Sequence, residues 1–228
     1  MKNITHTLLI TLAATSLSAC QTTQNPGTSN TPSSAQSDAD INEAIERAAT
    51  SAGLRTPEEQ TLAKAEQAYK RNSADPQATL NYGRALRQAG KFEPAAAILT
   101  PYANDKDGLS DIKTELSSVR LEQGNYDSAE KYAQEAVLQN PDDYFAYRNL
   151  GIALEAKGMH PQAERAFRKG LDTWKGDPTP IMNNLALNLA TQGFVDEAID
   201  ILEQAKKLAP DNMKIERNLR IVRTLNEH

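Results

Sequence analysis

Four glycines constrain this chain more than any other feature: Gly90, Gly124, Gly158 and Gly193, spaced 34, 34 and 35 residues apart. Each is followed five residues later by an alanine, Ala95, Ala129, Ala163 and Ala198. Two residues after the first three glycines stand rings, Phe92, Tyr126 and His160, with Val195 in the fourth. Pro141 and Pro210 close the second and fourth units, and Tyr82-Gly83 and Leu150-Gly151 repeat a large-small pair. Self-similarity at a fixed period marks a stacked supersecondary unit. Here the unit is a helical hairpin. Its glycine ends the first helix by taking a left-handed conformation without a Cβ penalty. Its small alanine lets the second helix come close, and larger side chains fill the remaining space. One hairpin cannot bury its own apolar face, so neighbours must stack.

The units run over 76–109, 110–143, 144–177 and 179–212, with one extra residue at Pro178. After residue 40 Ala, Leu, Glu, Gln, Lys and Arg dominate, and these unbranched side chains lose little freedom in a helix. Residues 41–75 read as a degenerate N-terminal helical unit, with Ala65, Ala68 and Tyr69 toward the first hairpin. Residues 213–228 read as a capping helix and tail, with Ile215, Leu219 and Val222 on one face. The pattern over 76–212 resembles the tetratricopeptide repeat (TPR). That resemblance implies an all-α superhelical solenoid of antiparallel helix pairs, closed by a C-terminal capping helix.

The N-terminus reads as an export signal over residues 1–19. Met1-Lys2 is a short positive start, Leu8 to Leu17 is an apolar run, and no acidic residue precedes Asp38. Ten helical residues rise about 15 Å, half the thickness of a hydrocarbon core, so the run is too short to span one. It ends in Leu17-Ser18-Ala19-Cys20, which resembles a bacterial lipobox. Cys20 is the only cysteine, so no internal disulfide is open to it, and lipid attachment accounts for its position. Gln21 follows; by resemblance to Gram-negative lipoproteins, a residue other than Asp there implies sorting to the outer membrane, with the chain on the periplasmic face. From Cys20 to residue 40 the chain reads as a flexible Ser/Thr/Pro/Asn linker that buries too little surface to offset chain entropy.

The charged residues exclude some functions. The formal net charge is −5, and the 25 basic residues are scattered, so no nucleic-acid partner is expected. No catalytic constellation, metal site or cofactor is expected either. After removal of the signal only His160 and His228 remain, and no Cys or His pair has metal-ligand spacing. His160 takes the slot that Phe92 and Tyr126 fill in sister units and is expected to pack. Asp142-Asp143 falls where Asp commonly starts a helix, and Trp174 is expected to pack the turn before Pro178.

The expected activity is therefore binding of a protein partner, and in a TPR stack the first helices line the concave face. Their sixth-position row is Asn81, Glu115, Asn149, Asn184 and Asn218. An Asn amide both donates and accepts, so it can pair with a peptide backbone of any sequence. The ninth-position row is Arg84, Ser118, Ile152, Leu187 and Ile221, polar at first and apolar over the last three. Arg87, Arg148 and Arg217 add positive charge, opposed by Glu115, Glu122 and Glu155. These rows suggest a groove whose C-terminal half receives an amphipathic or extended segment on Ile152, Leu187 and Ile221. Ordinary TPR usage of Asn and packing of Ile221 in the cap are the alternative reading of the same residues.

The stretch from Ala65 to Tyr102, the run Asn183-Asn184-Leu185-Ala186-Leu187, Asp196-Glu197-Ala198-Ile199, and Glu216-Arg217-Asn218-Leu219 together resemble the TadD family. These are TPR lipoproteins of tight-adherence (Flp) pilus assembly, and the resemblance covers roughly residues 60–225. It implies a role in building the pilus apparatus at the outer membrane, with a peptide segment of a pilus or secretin component as partner. A TPR lipoprotein of type IV pilus assembly or of outer-membrane protein insertion would share these features, as would an adaptor for peptidoglycan enzymes.

Overall fold

The structure, a computed structural model, describes residues 56–105 and 108–225. The export signal, Cys20, Gln21, the linker, the first part of the 41–75 unit and His228 lie outside the described residues. Ten α-helices and no strand occur among those described. α1 spans Pro57–Arg71. Four hairpins follow: α2 (Pro76–Gln88) with α3 (Phe92–Ala103), α4 (Ser110–Glu122) with α5 (Tyr126–Gln139), α6 (Tyr144–Ala156) with α7 (His160–Thr173), and α8 (Thr179–Thr191) with α9 (Val195–Leu208). α10 (Met213–Leu225) ends the series.

The turns repeat atom for atom. Gly90, Gly124, Gly158 and Gly193 have φ between 69° and 89°. The residue after each donates its backbone N–H to a carbonyl five residues back: Lys91 to Leu86, Asn125 to Arg120, Met159 to Leu154, Phe194 to Leu189. This is the helix-ending motif in which a left-handed residue lets the chain satisfy the last carbonyls of the helix it leaves. Side chains start several of the next helices. Asp75 accepts from the Gln77 N–H, Asn125 from that of Ser128, and Asp143 from that of Ala146.

Within each hairpin a small residue on the first helix faces a residue on the second. A Cβ placed on Gly83 would approach Leu99 to 2.6 Å, and one on Gly151 would overlap the Phe167 ring. At the equivalent positions the other two hairpins hold Ser117 with Ala133 and Ala186 with Leu202, all fully buried. Ala95, Ala129, Ala163 and Ala198 are also fully buried, as close helix approach requires. The first helices lie against one another down the series, α2 on α4, α4 on α6, α6 on α8 and α8 on α10, whereas the second helices among the described residues have no comparable contact with each other. The first helices therefore form the inner, concave layer.

The two ends differ from the repeats. α1 buries no residue completely and starts with a reciprocal cap between Thr56 and Glu59. It leans on α2 through Leu62 and through Tyr69, whose ring lies 5.2 Å from that of Tyr82. Ala65 and Tyr69 are half-buried as expected, but Ala68 is exposed. The contacting stripe runs Leu62, Ala65, Tyr69 at helical spacing, and Ala68 falls off it. At the other end Ile215, Leu219 and Val222 of α10 are buried in the core shared by α8 and α9.

Gly151→Ala is expected to cost about 1–3 kcal/mol, because the added methyl drives the Phe167 ring from its seat. Phe167→Leu in the same chain should recover part of the loss. Gln134→Leu, on the exposed side of α5, should change stability by no more than about 0.5 kcal/mol. Urea unfolding midpoints check this, and equal losses at Gly151 and Gln134 would contradict the pairing of small and large positions.

Candidate functional site

α2, α4 and α6 turn their inner faces onto a common cavity of about 810 Å³. α2 supplies Arg84 and Arg87. α4 supplies Asp111, Thr114, Glu115, Ser118, Leu121 and Glu122, and Tyr126 of α5 stands at its edge. Asp143, Phe145, Arg148, Asn149 and Ile152 close the third side. The residues converge because helical spacing puts positions two, five, six, nine, twelve and thirteen of a first helix on one face; α2 contributes the ninth and twelfth, α4 all six, and α6 the first four.

Glu115 forms the centre of the floor. Its side chain is only 6% exposed and receives two arginines of the preceding hairpin, Arg87 Nε at 2.6 Å on Oε1 and Arg84 Nε at 3.2 Å on Oε2. Arg87 is 25% exposed and Arg84 45%, so the Arg87 contact is less screened and shorter. Asn149 is buried, and its Nδ2 lies 2.8 Å from both Ser117 Oγ and Ser118 Oγ and 3.2 Å from the Thr114 carbonyl. Thr114 Oγ1 donates to Asp143 Oδ2 at 2.5 Å, tying α4 to the start of α6.

Arg148 differs from its neighbours. Its Nε is buried with no hydrogen-bond partner. Burial first, and then the like charge of Arg87, push its guanidinium below the ordinary arginine range, opposed by Glu122. The rim is aromatic and apolar. Phe145 is half exposed; its ring lies 4.4 Å from Tyr144 and 5.6 Å from Trp174. Trp174 packs the turn before Pro178, as expected, and its Nε1 donates to the Asp177 carbonyl at 2.5 Å.

Of the residues expected in the groove, Arg84, Arg87, Glu115, Arg148, Asn149 and Ile152 meet at this cavity. Asn81 lies exposed on α2, where its Oδ1 accepts from Gln77 Nε2 at 3.1 Å. Asn184 and Leu187 are half-buried on α8; Arg217 and Ile221 are exposed on α10. Asn218 is buried and donates to Asn183 Oδ1 at 2.7 Å. At Asn149 and Asn218 the amide hydrogens therefore join successive first helices instead of facing a ligand. Two ring positions also depart from expectation. Tyr126 is 40% exposed at the cavity edge, and His160 is held by polar contacts. The His160 Nδ1 lies 3.1 Å from Glu155 Oε1, and its carbonyl accepts from Asn188 Nδ2. Imidazole has the shape of the slot but carries nitrogens that need partners. Asp111 and Phe145 were missed from the sequence; both stand at the second position of their units, one turn before the sixth-position row, so that row was the signal for them.

Among the described residues no group of His, Cys, Asp and Glu could hold a metal ion, and no helix is long and apolar enough to cross a membrane. What the geometry defines is a helical-repeat scaffold with a polar-floored groove. The chain belongs to the tetratricopeptide repeat family, whose patterns match residues 60–105, 114–178 and 181–209. In structure it is similar to TTC0263, a thermophilic TPR protein of Thermus thermophilus, with a TM-score of 0.61 and 20% identity over 71% of this chain and 88% of that one. YrrB, described as a TPR protein with an unusual peptide-binding site, superposes with a TM-score of 0.56 and 20% identity over 75% of this chain and 86% of that one. MamA of Desulfovibrio magneticus RS-1 gives 0.57 and 17% identity over 77% and 97%. At these identities the likeness establishes the fold. In sequence, 72 residues are 32% identical to the rhomboid protease GluP of Bacillus subtilis (strain 168), covering 32% of this chain and 14% of that protein. The match thus spans about a third of this chain and a small part of GluP.

Removing the floor carboxylate should be costly. Glu115→Gln is expected to destabilise the fold by about 1–3 kcal/mol, since it weakens two charge-assisted hydrogen bonds and leaves Arg87 poorly compensated. A double-mutant cycle should give a larger coupling for Arg87 with Glu115 than for Arg84 with Glu115. Equal couplings, read from urea unfolding, would contradict the unequal geometry.

Proposed function

We propose that this chain is a lipid-anchored TPR scaffold that holds an extended or amphipathic segment of a protein partner along its inner face. The observation that carries the reading is the cavity shared by three successive hairpins, with a charged floor, an aromatic rim and Ile152 at its side. Grooves of this type recognise a segment through a few anchors. A protein of similar fold, YrrB, is described as having a peptide-binding site, which supports the same use here. In this reading the chain binds and does not catalyse.

The cellular setting rests on different grounds. Leu17-Ser18-Ala19-Cys20 supports lipid attachment at Cys20, with several acyl chains giving stable anchoring at about 0.8 kcal/mol per buried CH₂. Gln21 supports the outer membrane, and the likeness of residues 60–225 to the TadD family supports assembly of a Flp-type pilus, with assistance to the secretin pore. The partner is then a segment of a pilus or secretin component, its apolar side on Ile152, Leu187 and Ile221.

Two experiments test these parts separately. Cys20→Ser is expected to release the protein from the membrane fraction while leaving its thermal transition unchanged; retention through a salt wash would contradict the anchor. A photo-crosslinking residue at Ile221 in intact cells is expected to capture a secretin or pilus subunit, and capture of a peptidoglycan enzyme would replace the pilus role by an adaptor role. Ile221 is 52% exposed, so Ile221→Glu should lower capture several-fold at unchanged Tm. Leu187 packs against the C-terminal core, so Leu187→Glu should lower both capture and Tm. Undiminished capture by both folded variants would place the binding surface away from the C-terminal groove.

A further inference from the structure

The turn between α9 and α10 carries apolar and cationic side chains that the stack does not require. Leu208, the last residue of α9, is 60% exposed, and Met213, the first of α10, is 72% exposed. Between them Asn212 donates its N–H to the Ala209 carbonyl at 3.1 Å, a tight turn that leaves both residues at one edge of the stack. Lys206 and Lys207 precede this pair and Lys214 follows it, and none of the three forms an ion pair among the described residues. Lys206 and Lys207 stand in the last turn of α9, where cations suit the helix dipole. Lys214 stands in the first turn of α10, where a cation is unfavourable, so the dipole does not account for it. The equivalent turn before α6 carries Asp142 and Asp143 instead, and the one before α8 sets Lys175 between Asp172 and Asp177. In a chain of net charge −5, lysines thus gather at the last turn, where Asp211 is the one carboxylate.

We infer that this edge is a contact surface for an anionic lipid bilayer: Leu208 and Met213 enter the headgroup layer while Lys206, Lys207 and Lys214 lie against the lipid phosphates. An interfacial site combines burial of aliphatic surface with attraction to anionic headgroups, and this turn offers both within a few residues. A bilayer answers the two features at once, since its phosphates lie directly above its hydrocarbon. An acidic protein would answer the lysines and leave the two aliphatic side chains without a matched partner. The choice of a bilayer rests on the reading of Cys20 as lipidated, which keeps a membrane within reach of the chain. The edge is compatible with the groove. Ile221 lies about 12 Å further along α10, beyond the roughly 5–10 Å to which apolar surface sinks into a headgroup layer. Contact at the α9–α10 turn therefore fixes which edge of the inner face meets the membrane and leaves Ile221 to a protein partner.

The test uses the full chain with Cys20→Ser, so that no acyl chain contributes and failure of the anchor is not mistaken for failure of the edge. Sedimentation compares vesicles of phosphatidylcholine alone with vesicles of phosphatidylcholine and phosphatidylglycerol. Binding to the mixed vesicles is expected to be about tenfold tighter or more, and to lose that advantage at high salt. Lys206→Gln, Lys207→Gln and Lys214→Gln together should remove most of the difference at unchanged Tm. Lys64→Gln, Lys91→Gln and Lys169→Gln, at exposed lysines elsewhere, change the net charge equally and should lower binding by no more than about twofold. Leu208→Ser with Met213→Ser should weaken binding to the mixed vesicles several-fold, a loss that attraction between charges alone would not give. Undiminished binding by that pair would overturn the insertion. Equal binding to both kinds of vesicle, or equal losses from the two lysine sets, would overturn the edge as a lipid contact. Absence of a vesicle preference, together with a photo-crosslink from Met213 to an acidic protein in intact cells, would assign the edge to that protein.

Discussion

Everything in this stack depends on an exchange of volume between paired helices. Gly83 admits Leu99 and Gly151 admits Phe167, while the equivalent positions of the other hairpins hold Ala186 with Leu202 and Ser117 with Ala133, all buried. Close packing leaves no crossing room for two large residues, and in the second hairpin both are small. In the first and third hairpins nearly all the volume comes from the second helix. Burying a ring such as that of Phe167 is worth about 1.5–3 kcal/mol, and it is available only because the facing residue has no side chain. The first helices are left free to present their other side inward.

That inner layer is joined by polar contacts as well as by the shared apolar core. Glu115 draws in Arg84 and Arg87, Asn149 reaches Ser117 and Ser118, Asn218 meets Asn183, and Asn188 bonds Glu155 and the His160 carbonyl. Each link crosses from one hairpin to the next or, at Asn218, from the last hairpin to α10. Buried polar contacts add less stability than apolar packing of equal area, but they tolerate few alternative geometries. Apolar cores that run from each hairpin into the next supply cohesion, and the polar links between hairpins add constraints on how each unit sits on its neighbour. The cavity inherits its shape from the second set.

The hairpins were legible in the sequence because their causes are local. A glycine at positive φ, an alanine at a helix crossing and an Asp at a helix start each leave a residue-specific mark. The contents of the groove were less legible. Arg84, Arg87, Glu115, Arg148, Asn149 and Ile152 could be placed on one face from spacing alone, but nothing in spacing says that Glu115 is spent on two arginines or that Asn149 serves the stack. Those facts depend on distances between units, and a repeat pattern fixes only positions within one. His160 shows the same limit: its place in the register was readable, its bond to Glu155 was not.

The inner face changes character along its length. Its first half gathers Arg84, Arg87, Glu115 and Arg148 around the cavity, whereas its second half offers Leu187 and Ile221 with the exposed cation Arg217 one turn before Ile221. A uniform groove would accept a segment in either direction. A groove charged at one end and apolar at the other distinguishes the two directions, because reversing the segment would set its apolar residues on Arg148 and its charge on Leu187. Mispairing of that kind leaves buried polar groups unsatisfied, a penalty of about 1–3 kcal/mol for each. For a segment held as proposed, that would give one direction at least a several-fold preference, arising from the arrangement of ordinary repeat positions.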